Sequence, residues 1–325
     1  MPEPPLLMSV AFSYCFDSPV AVGALFSSLS APSEFIQLEP GAFRAKVDIE
    51  QIHGICKVSY AANRRSLCTG VKPSGRIQLS YCISPGLSGS DRPVVKGVEY
   101  SPSSVAGFGD DPEAHCVIPA GVKIVYYSLP ERPFLGVDSR SGDDRFLELR
   151  TQRNYVDLSP KSFLLLRSGL DALFSLDPSF GSGFGLRGMI DLLCSGSSAA
   201  CSSPSSRALV AHSFVRWCHA NVVGAPPDLD LIAKALFVSR RSLIQAVKES
   251  FGCGPAEMYK SIRLQYCHHF LTADDVSVLP LDALSPVSVG EAMNVFGFKH
   301  RGSFAKSFRD LFGVSPGQLG GLHAL

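Results

Sequence analysis

The spacing of apolar positions changes character near residue 159. Before it, from about residue 35 to 130, short runs alternate apolar and polar. Ile77-Gln78-Leu79-Ser80-Tyr81-Cys82-Ile83 shows the period of a half-buried strand. Val117-Ile118 and Val122-Lys123-Ile124-Val125-Tyr126-Tyr127 flank a Pro119-Ala120-Gly121 turn. Frequent Gly, Pro and Asn between the runs predict a small barrel or sandwich. After residue 159 the period lengthens. Ser159-Pro160 predicts a helix start, followed by Phe163, Leu166, Leu170, Leu173 and Leu176 on roughly one face. A stripe this apolar needs a partner, either the β-rich region or a second subunit.

Ser195 to Ser206 is small, polar and low in complexity, the composition of a flexible linker. Beyond it the pattern is helical. Arg207 to Ala220 predicts a helix with Leu209, Val210, Phe214, Trp217 and Cys218 inward. Asp228 or Asp230 can cap a short helix with Leu229, Ile232, Ala233 and Leu236 inside. Ser239 caps the next helix, which runs to about Ser250 and buries Leu243, Val247 and Ala246. Pro255 opens a long helix that includes Met258, Ile262, Cys267, Phe270 and Leu271. Ser288-Val289-Gly290-Glu291 is a capping-box pattern. Val289, Ala292, Met293 and Phe296 form an inner face, Gly297-Phe298 makes a turn, and the following helix carries Phe304 and Phe308 inside.

The end of the chain thus repeats itself. Phe251-Gly252-Cys253-Gly254-Pro255 recurs as Phe312-Gly313-Val314-Ser315-Pro316, with Leu243 falling on Phe304 and Lys248 on Arg309. Each copy follows a helix, a tight turn and a second helix, over residues 229–251 and 288–312. A doubled helix-turn-helix can place two helices in two grooves of double-stranded DNA. With Leu243 and Val247 inward, Arg241, Ser242, Ile244 and Gln245 fall toward the front or its edges and are the candidates for base contact. Arginine can pair with guanine, glutamine with adenine, and an apolar side chain with a thymine methyl. In the second unit Arg301 and Lys306 take the corresponding places, with Gly302 and Ala305 between them. That half is expected to hold the backbone more than to read sequence. Ser239, Arg240, Lys248, Lys299, His300 and Ser303 are the candidate phosphate contacts.

Charge adds little to this picture. Formal net charge is +1. Residues 207–325 hold 12 Lys/Arg against 9 Asp/Glu, which permits nucleic-acid binding without requiring it. No apolar run approaches the ~18 residues that span a bilayer, and the N-terminus lacks the basic start of a signal peptide, so a cytoplasmic location is expected. The ten cysteines include no C-x-x-C pair and are expected to be reduced thiols. His53 and His115 lie far apart, and the adjacent pairs Cys267-His268 and Cys218-His219 diverge on a helix. No metal and no cofactor is therefore expected.

Residues 229–319 resemble the DNA-binding domain of the AraC/XylS transcription regulators. The matching text is Gly297-Phe298, Ser303-Phe304, Phe308-Arg309 and Phe312-Gly313-Val314-Ser315-Pro316, with Ser239, Leu243, Phe251-Gly252 and Arg263-Leu264 in the first half. Residues 297–304 also look like the subgroup containing ethanolamine-utilisation regulators. The resemblance implies an N-terminal barrel-like (cupin-like) effector domain, and with the pattern along the chain this gives an α+β multidomain protein: that domain over 1–158, a helical transmission segment over 159–194, a linker over 195–206 and a DNA-binding domain over 207–325. It further implies a non-enzymatic regulator with a small-molecule effector, and RNA polymerase as partner if it activates; a homodimer through residues 160–195 is the second-subunit use of the apolar stripe there. Thr272 to Pro286 departs from the family as an added loop. From another class, a cupin-like or cysteine-dependent enzyme with an attached DNA-targeting domain, as in DNA repair, is the alternative.

Overall fold

The computed structural model describes residues 10–29, 31–52, 54–83, 92–95, 97–110, 113–133, 144–174, 183–197, 206–272 and 288–319. The loop expected over 272–286 and most of the Ser-rich linker lie outside these residues.

Antiparallel strands form two sheets. The larger contains β1 (Val10–Phe16), β3 (Ala45–Ile52), β4 (Ile55–Ala62), β6 (Arg76–Ile83), β9 (Ser104–Ala106), β11 (Lys123–Pro130) and β12 (Tyr155–Asp157), in the order β1-β3-β4-β11-β6-β9-β12. The smaller contains β2 (Ser33–Gln37), β5 (Ser66–Val71), β7 (Val94–Val95), β8 (Val98–Glu99) and β10 (Glu113–Ile118), in the order β2-β5-β10-β7-β8. Strand structure therefore begins earlier than the alternation suggested. In β1 the period-two residues Phe12 and Tyr14 are apolar yet exposed, their rings in a row with Phe16. The Pro119-Ala120-Gly121 turn carries the chain from one sheet to the other, with Gly121 at φ +74°.

In the smaller sheet the register sorts side chains into two faces. Phe35 pairs with Cys68, and Cys68 with Cys116; one step along, Ile36 pairs with Leu67, and Leu67 with Val117. The first row belongs to the core between the sheets. The second belongs to the core of the helical region. Helix α1 (Pro19–Ser28) covers β2 so closely that a Cβ on Gly23 would stand 2.7 Å from the Ser33 carbonyl oxygen.

Helices α2 (Arg145–Gln152), α3 (Pro160–Ala172) and α4 (Gly183–Ser195) pack on the outer face of the larger sheet. Ser159 caps α3 by accepting from the Ser162 N–H, and Phe163, Leu166 and Leu170 bury against Tyr81, Val125 and Leu193. The β-rich region is thus the partner of that stripe. Leu164 and Leu165, on the opposite face, are 59% and 64% exposed.

The helical region comprises α5 (Ser206–Ala220), α6 (Leu229–Ala235), α7 (Arg240–Phe251), α8 (Pro255–Thr272), α9 (Val289–Val295), α10 (Arg301–Phe312) and α11 (Pro316–Leu319). One expectation for α5 is corrected. Leu209 is exposed, and the buried face is Ala208, Ala211, His212, Phe214, Val215, Cys218 and His219. The helix is enclosed on two sides, by α7 and by β10, and its small residues allow both approaches. On the β10 side His212 stacks on His115, and Arg216 pairs with Glu113 at 2.6 Å.

The described cysteines are free thiols. No helix among the described residues is long and apolar enough to cross a membrane, and no group of three or more His, Cys, Asp or Glu among them is placed to hold a metal ion.

Candidate nucleic-acid interface

Both helix pairs are built by the same local rules. In the first, Asp228 caps α6 by accepting from the Asp230 N–H, and Ser239 caps α7 by accepting from the Ser242 N–H at 3.0 Å. Leu243, Ala246, Val247 and Phe251 recur at helical spacing and bury, so the helix turns its polar side outward. Gly252 ends it at φ +80°. In the second, Ser288 caps α9 by accepting from the Glu291 N–H at 3.2 Å. Phe304, Phe308 and Phe312 form the inner ladder of α10, and Gly313 ends it at φ +76°. His300 begins α10 without a side-chain capping bond.

The copies differ at the turn. Their first helices start 60 positions apart, at Leu229 and Val289, and their second helices 61 apart, at Arg240 and Arg301. The second turn is therefore one residue longer. Phe237 and Gly297 hold the same left-handed place, at φ +55° and +68°. Gly297 is required, because a Cβ there would overlap the Gly224 carbonyl. Phe237 is 95% exposed and is the one described non-glycine residue with positive φ.

The linking helix joins the two units through Arg263. Its buried guanidinium donates from Nε to the Phe296 carbonyl at the end of α9, at 2.7 Å, and lies 4.5 Å over the Phe298 ring. Burial lowers its pKa, and the Tyr259 ring lies on its other flank.

On α7 the candidate base-contacting residues Arg241, Ser242, Ile244 and Gln245 are all exposed. Their surroundings were not legible from spacing. Gln245 donates from Nε2 to Glu249 at 3.1 Å, and Glu249 also accepts from Arg207 at 2.7 Å, which holds its carboxyl below the usual range. The Ser242 hydroxyl is hydrogen-bonded to that of Ser239 at 2.8 Å. Arg240 pairs with Asp230 at 3.1 Å, while Lys248 is exposed near the end of the helix. On α10, Arg301 and Lys306 are exposed, and the Arg301 guanidinium leans toward the first turn of α9, beside Gly290. Ser303 donates to the His300 carbonyl at 3.1 Å. Lys299, His300 and Ser303 line a groove that also contains Lys260 of the linking helix. Spacing singles out neither Lys260, which lies on the linking helix, nor Glu249, whose place beside Gln245 is fixed by Arg207, 42 positions away.

The β-rich region holds a partly open cavity between its sheets. Phe26, Phe35, Tyr60, Tyr100, Cys68 and Cys116 are on its wall. Burial pushes the Cys68 thiol up to about 12. At the seam with α5, His219 receives or gives a hydrogen bond at Tyr266 at 2.9 Å, and its Nε2 lies 3.4 Å from Glu34 without hydrogen-bond geometry. Burial raises the Glu34 carboxyl to about 7 and lowers the His219 imidazole to about 3.

Residues 232–320 match the family model described as a helix-turn-helix domain, so this part of the chain is a helix-turn-helix domain. Over 91 residues the chain is 30% identical to the HTH-type transcriptional regulator GbdR of Pseudomonas aeruginosa, a stretch covering 28% of this chain and 22% of that protein. The chain thus spans less than a quarter of that curated relative in the match. Among solved structures, the AraC-like transcriptional activator CuxR aligns with 74% of this chain and 89% of its own, at 12% identity and a TM-score of 0.37. ToxT from Vibrio cholerae O395 aligns with 95% of this chain and 96% of its own, at 10% identity and a TM-score of 0.30.

Proposed function

We propose that the chain is a transcription regulator of the AraC/XylS type, which binds double-stranded DNA with two recognition helices and responds to a small molecule held in its β-rich region. The observation that carries this reading is the pairing of two capped helix-turn-helix units on one linking helix, with Arg263 bonded to the second. Helices α7 and α10 enter successive major grooves. Arg241 and Gln245 read bases, with Ile244 against a thymine methyl and Ser242 at the edge. Arg301 and Lys306 hold the second groove, and Arg301, drawn toward α9, favours the backbone there. Ser239, Arg240, Lys248, Lys299, His300 and Ser303 contact phosphates, joined by Lys260. Arg240 exchanges Asp230 for a phosphate on binding.

The cavity between the sheets is the effector site. Its lining, rather than the short resemblance over 297–304, indicates the effector chemistry. The exposed Leu164 and Leu165 on α3 support dimerisation through the 160–195 segment. If it activates, the protein engages RNA polymerase from its DNA site in the cytoplasm. Selection of bound sequences from a random DNA pool tests the reading: wild-type protein enriches a bipartite motif, and a pool without enrichment contradicts it. Affinity falls steeply with salt, because phosphate contacts release counterions.

A further inference from the structure

We propose that the cavity takes a neutral, mainly apolar ligand about the size of one six-membered ring, and that β2 reports its occupancy directly to the helix-turn-helix units. The proposal rests on the regulator reading and adds to it the ligand class and the path of the signal.

The ligand class follows from the lining. The cavity volume is about 120 Å³, and Phe26, Phe35, Ile118 and Ile124 give it an apolar wall. An apolar cavity of ~150 Å³ in another protein accepts benzene. Several polar groups on the wall already have partners. The Tyr60 hydroxyl is bonded to Ser66 at 2.8 Å and the Tyr100 hydroxyl to Ser80 at 2.9 Å. Lys72 donates to the Gly109 carbonyl at 2.7 Å and to Asn154 at 3.1 Å. A sugar would bring a hydroxyl on most of its carbons into this surface and leave most of them unpaired, which is costly. The Gln78 amide, also on the wall, can serve one neutral polar group on a ring.

The path follows from the register of a single strand. Phe35 faces the cavity. Its neighbour Ile36 is buried in the core of the helical region, in one row with Leu67 and Val117. The next residue, Gln37, is held by that region at two places. Its backbone exchanges two hydrogen bonds with the Gln265 amide of α8, and its side chain donates to the Leu311 carbonyl of α10 at 3.3 Å. Gly41, in the loop after β2, donates to the same carbonyl at 2.7 Å. Three consecutive residues therefore connect the cavity wall, the helical core and the last turn of the second recognition helix. Close-packed interiors transmit such a displacement rather than absorb it. One layer of sheet separates ligand from the second recognition helix.

The chain has a single tryptophan, Trp217, on α5 and edge-on to Tyr259 of α8. It reports on the helical region without DNA. Full-length protein is titrated with cyclohexanol, and with glucose as a polar probe of similar size. Cyclohexanol should raise Tm and shift Trp217 emission saturably, and glucose should do neither. Cys116→Met and Cys68→Met, which fill the cavity, should weaken the cyclohexanol response at least tenfold. The ligand class is overturned if cyclohexanol has no saturable effect, if glucose matches it, or if a filled variant with wild-type circular dichroism responds fully. A rise in Tm with Trp217 silent overturns the β2 path. DNA selection on the same preparation reads the regulator assignment separately, so either can fail alone.

Discussion

Gln265 on the linking helix replaces a neighbouring strand for Gln37. The Gln37 N–H donates to Gln265 Oε1 at 2.6 Å, and Gln265 Nε2 donates back to the Gln37 carbonyl at 3.1 Å. β2 is the edge of its sheet, so these backbone groups lack a strand partner on that side. Both residues are fully buried. The helical region is thereby joined to the sheet by backbone-grade hydrogen bonds rather than by a sliding apolar contact. Gln265→Leu keeps the volume but strands both groups, a cost of about 1–3 kcal/mol for each buried unsatisfied group. Hydrogen exchange should show the Gln37 amide losing protection, while amides within α7 keep theirs. Unchanged protection at Gln37 would mean the bond is not formed in solution.

Phe237 and Gly297 make a matched pair for substitution. A non-glycine residue in the left-handed region costs roughly 1–2 kcal/mol, and glycine's extra chain entropy returns about half of that. Phe237→Gly should therefore stabilise the protein by roughly 0.5–1 kcal/mol in urea unfolding. Gly297→Ala should destabilise it more strongly, since the methyl meets the Gly224 backbone. A loss of stability in Phe237→Gly would show that the exposed ring makes a contact.

Arg263 links α8 to the end of α9, so Arg263→Met should loosen the second unit selectively. Losing a charged hydrogen bond to a buried carbonyl costs about 1.5–3 kcal/mol. Arg263→Lys should recover little, because an ammonium cannot both stack on Phe298 and aim at the Phe296 carbonyl. Exchange protection is expected to fall in α9 and α10 and to persist in α7. Equal loss in both units would remove Arg263 from this role.

Stability should fall on mild acidification. Burial lowers His219 to about 3 and His268 to about 4, and it lowers His269 as well. Unfolded histidines bind protons below about 6.5, which folded His268 refuses until about 4 and His219 until about 3, so stability drops as pH falls through this window. Glu34 acts in the opposite sense. Its carboxyl stays protonated in the fold up to about 7, so its contribution is full below 4.5 and is lost as pH rises through 7. The three histidines outnumber it. Urea midpoints from pH 8 to 4 should decline below 6.5, and His268→Phe should flatten the decline. A flat profile in the wild type would mean these rings are solvated.

The duplicated C-terminal pattern was legible because caps and inner faces are local. Ser239, Ser288, Gly252 and Gly313 declare helix ends by their own chemistry, and Leu243, Val247, Phe304 and Phe308 declare the buried side by spacing. The contacts that tune the interface depend on residues distant in sequence. Arg207 reaches Glu249 beside Gln245, and nothing in either segment predicts that meeting. Leu209 misled because α5 is covered on two sides, which a single apolar stripe cannot express. The edge pairing of Gln37 with Gln265 bridges 228 positions and leaves no periodic trace.

The most direct test of the account is DNA selection with wild-type protein, Arg241→Ala and Arg301→Ala at one salt concentration. The wild type should enrich a bipartite site. Arg241→Ala should relax one base pair in one half, at a cost of about 1–3 kcal/mol, while Arg301→Ala should weaken all sites alike and keep the motif. An unaltered motif in Arg241→Ala, or a base preference lost only in Arg301→Ala, would contradict the assignment of reading to the first unit.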